Sequence, residues 1–255
     1  MNALHEPWPS STNSRTLVVV PTYNERDNLT QLVPQLLALD PTLDVLVVDD
    51  ASPDGTGDLA DALALANSRV RVLHRQAKQG LGTAYVAGFT DALEHGYARV
   101  VEMDADFSHR PVDLPRLLRA TDGPDAAQVA IGSRLVPGGS VIGWSAIRHA
   151  VSKGGSFVAR TLLGLPVRDC TSGFKCFRRE ALETLDLAHM RSNGFAFQVE
   201  VNEACARAGL SVVEVPITFP DRVAGTSKMS WHIVTEALWL ILTLRFARLA
   251  HRAAA

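Results

Sequence analysis

The sequence predicts an α/β protein with a mostly parallel central sheet covered by helices on both faces. Three observations support this fold class. Short apolar runs alternate with helical patterns through the first half of the chain. These runs are continuously apolar, which is typical of strands buried on both faces. The chain has 255 residues, 47% of them hydrophobic, so it is long and apolar enough to bury a substantial core.

Each element of the first half follows from its own pattern. Apolar runs too short for a helix predict strands, and apolar residues recurring at intervals of three and four predict helices. The spacing of Leu29, Leu32, Val33 and Leu36 is an example of the helical pattern. The predicted strands are 16–20, 43–48, 70–73, 99–103 and 127–131, and the predicted helices between them are 25–39, 56–66, 80–94 and 112–120.

The second half is less regular, and no Ser/Pro-rich linker separates it from the first. We therefore expect a flexible tail over 1–15 and a single domain over 16–255. A glycine- and proline-rich stretch at 137–143 and a mixed section around 171–177 interrupt the pattern. The predicted elements are helices at 145–163, 196–208 and 231–251 and a strand at 212–217.

Composition excludes several classes of protein. The formal net charge of −2 argues against a nucleic-acid binder held by phosphate neutralisation, so no nucleic acid is expected as a partner. The most apolar stretch, 233–244, contains Thr235, Glu236 and Thr243 and is too short to span a bilayer. The three cysteines form no C-x-x-C pair, which indicates buried free thiols in a reducing compartment, and hence the cytoplasm.

Unusual residues stand at the ends of four of the predicted strands, at 21–25, 48–56, 103–106 and 132–134. Ligands of open α/β sheets bind at the carboxyl ends of the strands, so these clusters are expected along one edge. The first cluster lacks G-x-G-x-x-G, which argues against a nicotinamide oxidoreductase. Tyr23 is suited to pack against a base, with a plain helix start as the alternative for this first cluster. In the second cluster, one carboxylate of Asp49 and Asp50 is suited to face a ligand, with a simple turn as the alternative.

The third cluster, Asp104-Ala105-Asp106, points most strongly to chemistry. Two carboxylates at this spacing after an apolar strand can hold Mg²⁺ or Mn²⁺, which would neutralise a diphosphate leaving group. Ser108 or His109 could add a ligand, although we expect His109 to be a solvated surface residue. The alternative is a pair of solvated aspartates in a turn.

Basic residues are concentrated later in the chain. Arg134 follows the fifth predicted strand, and Arg148, Ser152 and Lys153 lie on one predicted helix. Arg148 and Ser152 share a face because they are four residues apart. A further segment, 219–228, contains the cations Arg222 and Lys228 among small residues. Several cations in a chain without positive net charge favour local anion binding, and isolated surface cations are the alternative.

The motifs P-T-Y-N-E, V-D-D-A-S-P-D-G-T, D-A-D, G-S-R, T-S-G-F-K and D-R-V-A-G-T-S-K occur in that order. The ordered set resembles glycosyltransferase family 2, and within it the dolichol or polyprenol monophosphate mannose synthases. The match runs from about residue 16 to the start of the last helix. The resemblance implies a GT-A fold and a metal-dependent, inverting transfer of mannose from GDP-mannose to a polyprenyl phosphate.

The resemblance also implies roles for particular residues. Asp104 and Asp106 would bind the metal, and with Ala105 and Ser108 they would contact the diphosphate. Ser108 stands where a relative can supply Gln, which puts a third protein ligand in doubt. The catalytic set would be completed by Arg222 and Lys228, which would close over the donor. The nucleotide would be held by Pro21, Tyr23, Glu25, Val48 and Asp50, and the acceptor phosphate by Arg134, Arg148 and Ser152.

A lipid-borne acceptor implies peripheral association with the cytoplasmic face of a membrane, directly or through a separate membrane protein. The helix at 231–251 is suited to an interface, with core packing as the alternative, and Val141, Ile142 and Trp144 among glycines are suited to a mobile lid. Two functional alternatives stay open, a polyprenyl-phosphate glucosyltransferase and a non-catalytic nucleotide-sugar-binding protein. A processive polysaccharide synthase is disfavoured because Q-x-x-R-W and membrane spans are missing.

Overall fold

The strand order places four of the strand ends predicted to carry function along one edge of a central sheet. The structure is a computed structural model that describes residues 15–190, 192, 194–221, 241–243 and 245. The sheet has seven strands in the order β3-β2-β1-β4-β7-β5-β8. All neighbours are parallel except β7, which is antiparallel to both β4 and β5. The strands are β1 Thr16–Thr22, β2 Leu43–Asp49, β3 Val70–His74, β4 Arg99–Glu102, β5 Val129–Ser133, β7 Lys175–Arg178 and β8 Val212–Pro216.

A second, two-stranded sheet lies beside the main one. It pairs β6 (Ser140–Ile142) in parallel with β9 (Thr218–Pro220). The segment suggested as a lid is therefore anchored by strand pairing at Val141 and Ile142. The helices are α1 Arg26–Leu39, α2 Thr56–Ala66, α3 Leu81–Glu94, α4 Leu114–Ala120, α5 Ala146–Leu163, α6 Arg179–Thr184 and α7 Gly194–Arg207, with 3₁₀ turns at Pro111–Asp113 and Leu187–His189.

Both faces of the sheet are buried, as the continuous apolar strands predict. Along β1, Leu17 and Val19 belong to the core layer shared with α3, α5 and α7. Val18 and Val20 belong to the opposite layer, shared with α1, α2 and α4. Because successive strand residues point to opposite faces, this split confirms the predicted helix-covered sheet.

The local signals fix the helix that carries the predicted acceptor residues. Ser145 caps α5, its Oγ accepting the backbone N–H of Arg148 at 3.3 Å, and Gly164 ends it with a φ of 61°. A hydroxyl cap and a left-handed glycine are the ordinary boundaries of a helix. Arg148, Ser152 and Lys153 therefore lie on a continuous helix, as the sequence predicts.

The structure differs from the sequence prediction at several boundaries. β1 continues through Pro21 and Thr22, beyond the predicted strand end at residue 20, because both residues pair with β2. The helix predicted at 112–120 begins as a 3₁₀ turn. The mixed section at 171–177 contains β7, which pairs with two strands remote in sequence. The single domain over 16–255 stays a prediction, since 222–240 lie outside the described residues.

The cysteines agree with the prediction. Cys170, Cys176 and Cys205 are free and buried, and burial raises their thiol pKa values to about 12, 11 and 12. Thiols in this state are unreactive at neutral pH. Over the described part of the chain, no helix is long and apolar enough to cross a bilayer.

Candidate active site

The edge formed by the strand ends carries a distinctive backbone conformation. Asn24, Ala51 and Phe107 have φ values of 61°, 56° and 60°, in the left-handed region that non-glycine residues rarely adopt. They follow β1, β2 and β4 within a few residues. Such conformations cost free energy and cluster at functional sites, so their coincidence at one edge marks it as a candidate active site.

The turns after β1 and β2 are bonded to each other. The Thr22 hydroxyl donates to Asp49 Oδ1 at 3.0 Å, and the Glu25 backbone N–H donates to Thr56 Oγ1 at 3.1 Å. Asp49 therefore has a structural role within the turn. Tyr23 is half-buried beside them, and the Lys78 ammonium lies 3.7 Å from its ring centroid.

Asp50 organises the segment that follows β3. It is 5% exposed and accepts the backbone N–H groups of Gln79 and Gly80, each at 3.2 Å. Its Oδ1 also pairs with Arg75 at 2.7 Å. Val48, which the resemblance assigns to the nucleotide, is fully buried between the paired strands β1 and β3, main chain included. Pro21, Tyr23 and Glu25 are half-buried at this edge, close in the fold to Asp50 because β1 and β2 are neighbours.

The D-A-D segment begins two residues after β4 ends. The Asp104 side chain is 29% exposed, and its Oδ1 accepts the hydroxyl of Tyr85 at 2.9 Å. Asp106 is 5% exposed, and its Oδ1 accepts the backbone N–H of Ser108 at 3.0 Å. Ala105 is buried between them. The two carboxylates thus stand at the sheet edge in unequal environments, one partly open and one nearly enclosed.

His109 is buried, which corrects the expectation of a solvated surface residue. It is 1% exposed, and its ring stacks on Phe174 with centroids 5.1 Å apart and meets Phe219 edge-on at 5.5 Å. Its Nδ1 accepts the Asp104 backbone N–H at 3.0 Å. Burial lowers the pKa of His109 to about 3, so the ring is neutral at pH 7 with its proton on Nε2.

The residues present fit a divalent cation bound together with a diphosphate. Asp104 and Asp106 supply two carboxylates of the kind that Mg²⁺ and Mn²⁺ prefer. In the described ranges, no group of three or more His, Cys, Asp or Glu side chains is arranged to hold a metal by itself. Two protein carboxylates are sufficient when substrate phosphates and water complete the coordination.

A cationic cavity of about 120 Å³ lies at the end of β5. It brings together Arg134 and Ser152, two of the three residues predicted for an acceptor phosphate, and adds Lys153. Arg148 stands beside it, with its Cζ 4.2 Å from the Trp144 ring centroid and its Nη1 2.6 Å from Asp221 Oδ1. The cavity is lined by Arg134, Leu135, Gly139, Ser140, Val141, Trp144, His149, Ser152 and Lys153.

Arg134 enters this cavity from a buried ion pair. Its Nε and Nη2 donate to the two carboxylate oxygens of Asp169 at 2.8 and 2.6 Å, and Nη2 also donates to Thr171. Burial would raise the pKa of Asp169, but the guanidinium outweighs it and the pKa lies below its usual value. Asp169 therefore fixes the orientation of Arg134, with a bidentate geometry that Lys could not reproduce.

Aromatic contacts connect the carboxylate side of the edge to the cavity. Phe219, which touches His109, meets the Trp144 ring at 5.5 Å, and Trp144 lines the cavity. Arg134 lies near both rings, with its Cζ 5.0 Å from Phe219 and 5.4 Å from Trp144. The two candidate binding regions are thus connected through packed aromatic rings at one edge of the sheet.

Some of the residues predicted to act at this site lie in parts of the chain that the structure does not describe. Arg222, Lys228 and most of the predicted helix at 231–251 lie outside the described residues; of that helix, 241–243 and 245 are described and helical. Other residues became evident only in the structure. Tyr85 lies in an ordinary amphipathic helix pattern, and Asp169 lies between the predicted helix at 145–163 and the mixed section that begins near residue 171. Lys175 gave one signal, a lone charge next to an apolar run.

Comparison with known proteins points to one family. The model of "Glycosyl transferase family 2" matches residues 17–186. Polyprenol monophosphomannose synthase from Mycolicibacterium smegmatis is 49% identical over 237 residues, which cover 92% of this chain and 89% of the relative. Undecaprenyl-phosphate mannosyltransferase from Micrococcus luteus is 50% identical over 224 residues, which cover 88% of this chain and 91% of the relative.

Solved structures show the same architecture. Glucosyl-3-phosphoglycerate synthase from Mycobacterium tuberculosis, solved with Mn²⁺, UDP-glucose and phosphoglyceric acid, aligns with a TM-score of 0.69 at 19% identity. The alignment covers 94% of this chain and 86% of that one. At this identity the likeness shows the fold, and it confirms the predicted GT-A architecture. With the family model matched over most of the chain and two relatives about half identical, the chain belongs to glycosyltransferase family 2.

Proposed function

We propose that this protein is a polyprenyl-phosphate mannosyltransferase, which transfers mannose from GDP-mannose to a polyprenyl phosphate with inversion at the anomeric carbon. One observation carries the proposal. A pair of carboxylates suited to a metal–diphosphate group lies beside a cationic cavity suited to a second phosphate, on the same sheet edge. A transferase that joins a nucleotide sugar to a phosphorylated acceptor needs both. The names of the two half-identical relatives describe the attachment of mannose to a polyprenyl phosphate.

The acceptor side of the reaction requires positioning more than base catalysis. The nucleophile is a phosphate oxygen that is already anionic near pH 7, so no strong base has to remove a proton from it. Arg134, held by Asp169, and Ser152 with Arg148 would orient that oxygen toward the sugar. The new bond forms from this oxygen to C1 of mannose, on the face opposite the departing diphosphate.

The donor side requires compensation of negative charge. As the bond from C1 to the diphosphate breaks, GDP leaves with the electron pair. Asp104 and Asp106 would hold Mg²⁺ or Mn²⁺, which when bound would neutralise that charge. Pro21, Tyr23, Glu25 and Asp50 would bind the nucleotide. Arg222 and Lys228, which are not among the described residues, are the predicted further contacts of the diphosphate.

The direct test supplies labelled GDP-mannose or UDP-glucose with polyprenyl phosphate, with and without Mn²⁺ or Mg²⁺. We expect metal-dependent label in the lipid phase from GDP-mannose alone. Transfer from UDP-glucose instead would support the glucosyltransferase alternative. Tight nucleotide-sugar binding with no transfer from either donor would support a non-catalytic binding protein.

Replacing Lys153 with methionine should weaken the acceptor and spare the donor. Lys153 lines the cationic cavity, so its loss removes a charge-assisted contact to the acceptor phosphate. We expect the KM for polyprenyl phosphate to rise about tenfold, with the KM for GDP-mannose unchanged. Lys78→Met is the matched control, because Lys78 contacts Tyr23 on the donor side. An equal effect of both variants on the acceptor KM would contradict the assignment.

We also propose that the enzyme associates peripherally with the cytoplasmic face of the membrane that holds its acceptor. The surface of α5 supports this. The helix contains no acidic residue, and it carries Arg148, Lys153 and Arg160. Ile147 and Phe157 on the same helix are 78% and 66% exposed. Cations with exposed apolar side chains next to a phosphate cavity suit an anionic lipid surface.

Flotation with liposomes that contain anionic lipid tests this surface. We expect Ile147→Ser/Phe157→Ser to reduce the floated fraction at least fivefold, because two apolar side chains no longer enter the interface. Leu65→Ser is the control, since Leu65 is 91% exposed on α2. Unchanged flotation of the double variant would place the contact elsewhere in this chain, such as the predicted helix at 231–251. Absence of flotation already in the wild type would favour a separate membrane protein.

A further inference from the structure

Asp104 is held by two buried groups that come from different parts of the chain. The Tyr85 hydroxyl on α3 donates to its carboxylate at 2.9 Å, and the Nδ1 of His109 accepts its backbone N–H at 3.0 Å. Tyr85 is fully buried and His109 is 1% exposed. Both the main chain and the side chain of Asp104 are therefore tied to groups that water does not reach.

Tyr85 is itself fixed by close packing. Its ring stacks on Phe197 and on Phe89, each with centroids 6.0 Å apart. Two glycines, three residues before and three after it, let α3 approach its neighbours closely. A Cβ on Gly82 would lie 2.1 Å from the Ser192 carbonyl oxygen, and one on Gly88 would lie 2.3 Å from Val19. These contacts set how closely α3 packs against its neighbours, and thereby the position of the Tyr85 hydroxyl.

The direction of this hydrogen bond follows from its two partners, because an ionised carboxylate accepts hydrogen bonds and cannot donate them. A protonated tyrosine has one hydrogen to donate, and here it goes to Asp104 Oδ1. Rotation of the Asp104 carboxylate away from this direction would leave a buried hydroxyl without its acceptor.

We propose that Tyr85 is a positioning residue, whose buried hydroxyl holds the Asp104 carboxylate in the orientation that binds the divalent cation. The inference rests on the proposed metal–diphosphate site, and it assigns to α3 a role in that site. Groups that orient a metal ligand from behind typically change metal affinity by tenfold or more when removed. Tyr85 is fully buried and acts through Asp104, so its effect should appear first in metal binding.

Mn²⁺ binding by Tyr85→Phe tests the proposal directly. Free Mn²⁺ is measured by electron paramagnetic resonance during titration of the full-length protein, with GDP present and with UDP in parallel. We expect the Mn²⁺ Kd of Tyr85→Phe to be about ten times that of the wild type. Phenylalanine keeps the stacked ring, so the hydroxyl is the only group lost.

Tyr97→Phe provides a matched control. Tyr97 is also buried, at 2% exposure, and its hydroxyl donates to Asp44 at 2.7 Å. That aspartate lies near the start of β2, at the opposite end of the strand from the candidate site. Each variant removes a tyrosine–aspartate hydrogen bond, and Tyr97→Phe also removes the contact of its hydroxyl with Arg71. The control should therefore lose at least as much thermal stability, and only Tyr85→Phe should lose Mn²⁺ affinity.

The outcomes separate this inference from the proposed function. Equal Mn²⁺ affinity of Tyr85→Phe and wild type would overturn the positioning role. So would a wild-type protein that binds no Mn²⁺ in the presence of GDP or of UDP. Equal weakening by Tyr85→Phe and Tyr97→Phe would also overturn it. If the wild type binds Mn²⁺ in a Tyr85-dependent way but transfers no mannose to polyprenyl phosphate, the proposed function fails and the positioning role stands.

Discussion

Replacing Asp104 with asparagine is expected to lower the rate of mannosyl transfer roughly a thousandfold. Asparagine keeps the shape of the side chain and an oxygen that can accept the Tyr85 hydroxyl, so the variant removes the charge and little else. The lost interaction is the one that compensates the leaving diphosphate, which strengthens as the sugar–oxygen bond breaks. The effect should therefore fall on kcat as well as on the metal requirement.

The measurement is transfer of labelled mannose to polyprenyl phosphate across a range of Mn²⁺ concentrations. Asp61→Asn is a suitable control, because Asp61 is an exposed aspartate on α2 that pairs with His74 at 2.9 Å. We expect the control to retain wild-type activity. Normal transfer by Asp104→Asn at ordinary metal concentrations would show that the D-A-D segment does not hold a catalytic metal.

Replacing Lys175 with methionine is expected to lower the free energy of unfolding by about 3–5 kcal/mol. Lys175 and Glu102 are both fully buried, and the ammonium donates to Glu102 Oε1 at 2.7 Å, to the Ser172 carbonyl at 2.7 Å and to Gln198 Oε1. Methionine fills a similar volume but leaves the Glu102 carboxyl group in the core without its cationic partner, so the group must either stay ionised or take up a proton. Urea unfolding measures the loss, and a variant within about 1 kcal/mol of the wild type would contradict it.

The loss should depend on pH in a definite direction. Burial raises the pKa of Glu102 to about 7 even with Lys175 opposing it, and the variant removes that opposition. A carboxyl whose pKa is higher in the folded state contributes stability that is full below its unfolded pKa and falls as pH rises through the folded pKa. The deficit of Lys175→Met should therefore be larger at pH 8 than at pH 5.5.

A double variant separates the charge effect from the packing effect. Glu102→Gln/Lys175→Met removes both charges, so it should recover most of the stability that Lys175→Met loses. Recovery of less than about 1 kcal/mol would mean that Lys175 acts mainly through its contacts with Ser172 and Gln198. The pair also ties β4, which leads into the D-A-D segment, to β7 and α7.

The sequence predicted those parts of the fold that depend on local patterns. Runs such as 43–48 and helices such as Thr56–Ala66 follow from periodicity, and the predicted helix 56–66 has the observed boundaries. The prediction that the strand-end clusters share one edge is confirmed by the parallel pairing of β1 with β2 and β4. The family resemblance is confirmed by the family model and by the half-identical relatives. It could be predicted because it rests on an ordered set of motifs rather than on any one of them.

The errors arose where contacts between distant residues decide the structure. His109 stands in D-F-S-H-R, a polar segment that reads as a solvated turn. It is buried because Phe174 and Phe219, far along the chain, pack on its ring. β7 was missed because four residues that begin with a lysine give little pattern, and the strand exists through pairing with β4 and β5.

By itself, the sequence determined the alternation of strands and helices, the edge where unusual residues collect and the family to which the chain belongs. Hydrophobic periodicity and motif order carry that information locally. Only the tertiary structure decided which group each polar side chain contacts: Arg134 with Asp169, Lys175 with Glu102, Asp104 with Tyr85. These pairs join residues from 19 to 73 positions apart. A buried charge or hydroxyl takes its partner from whatever the fold brings near it, which no local pattern records.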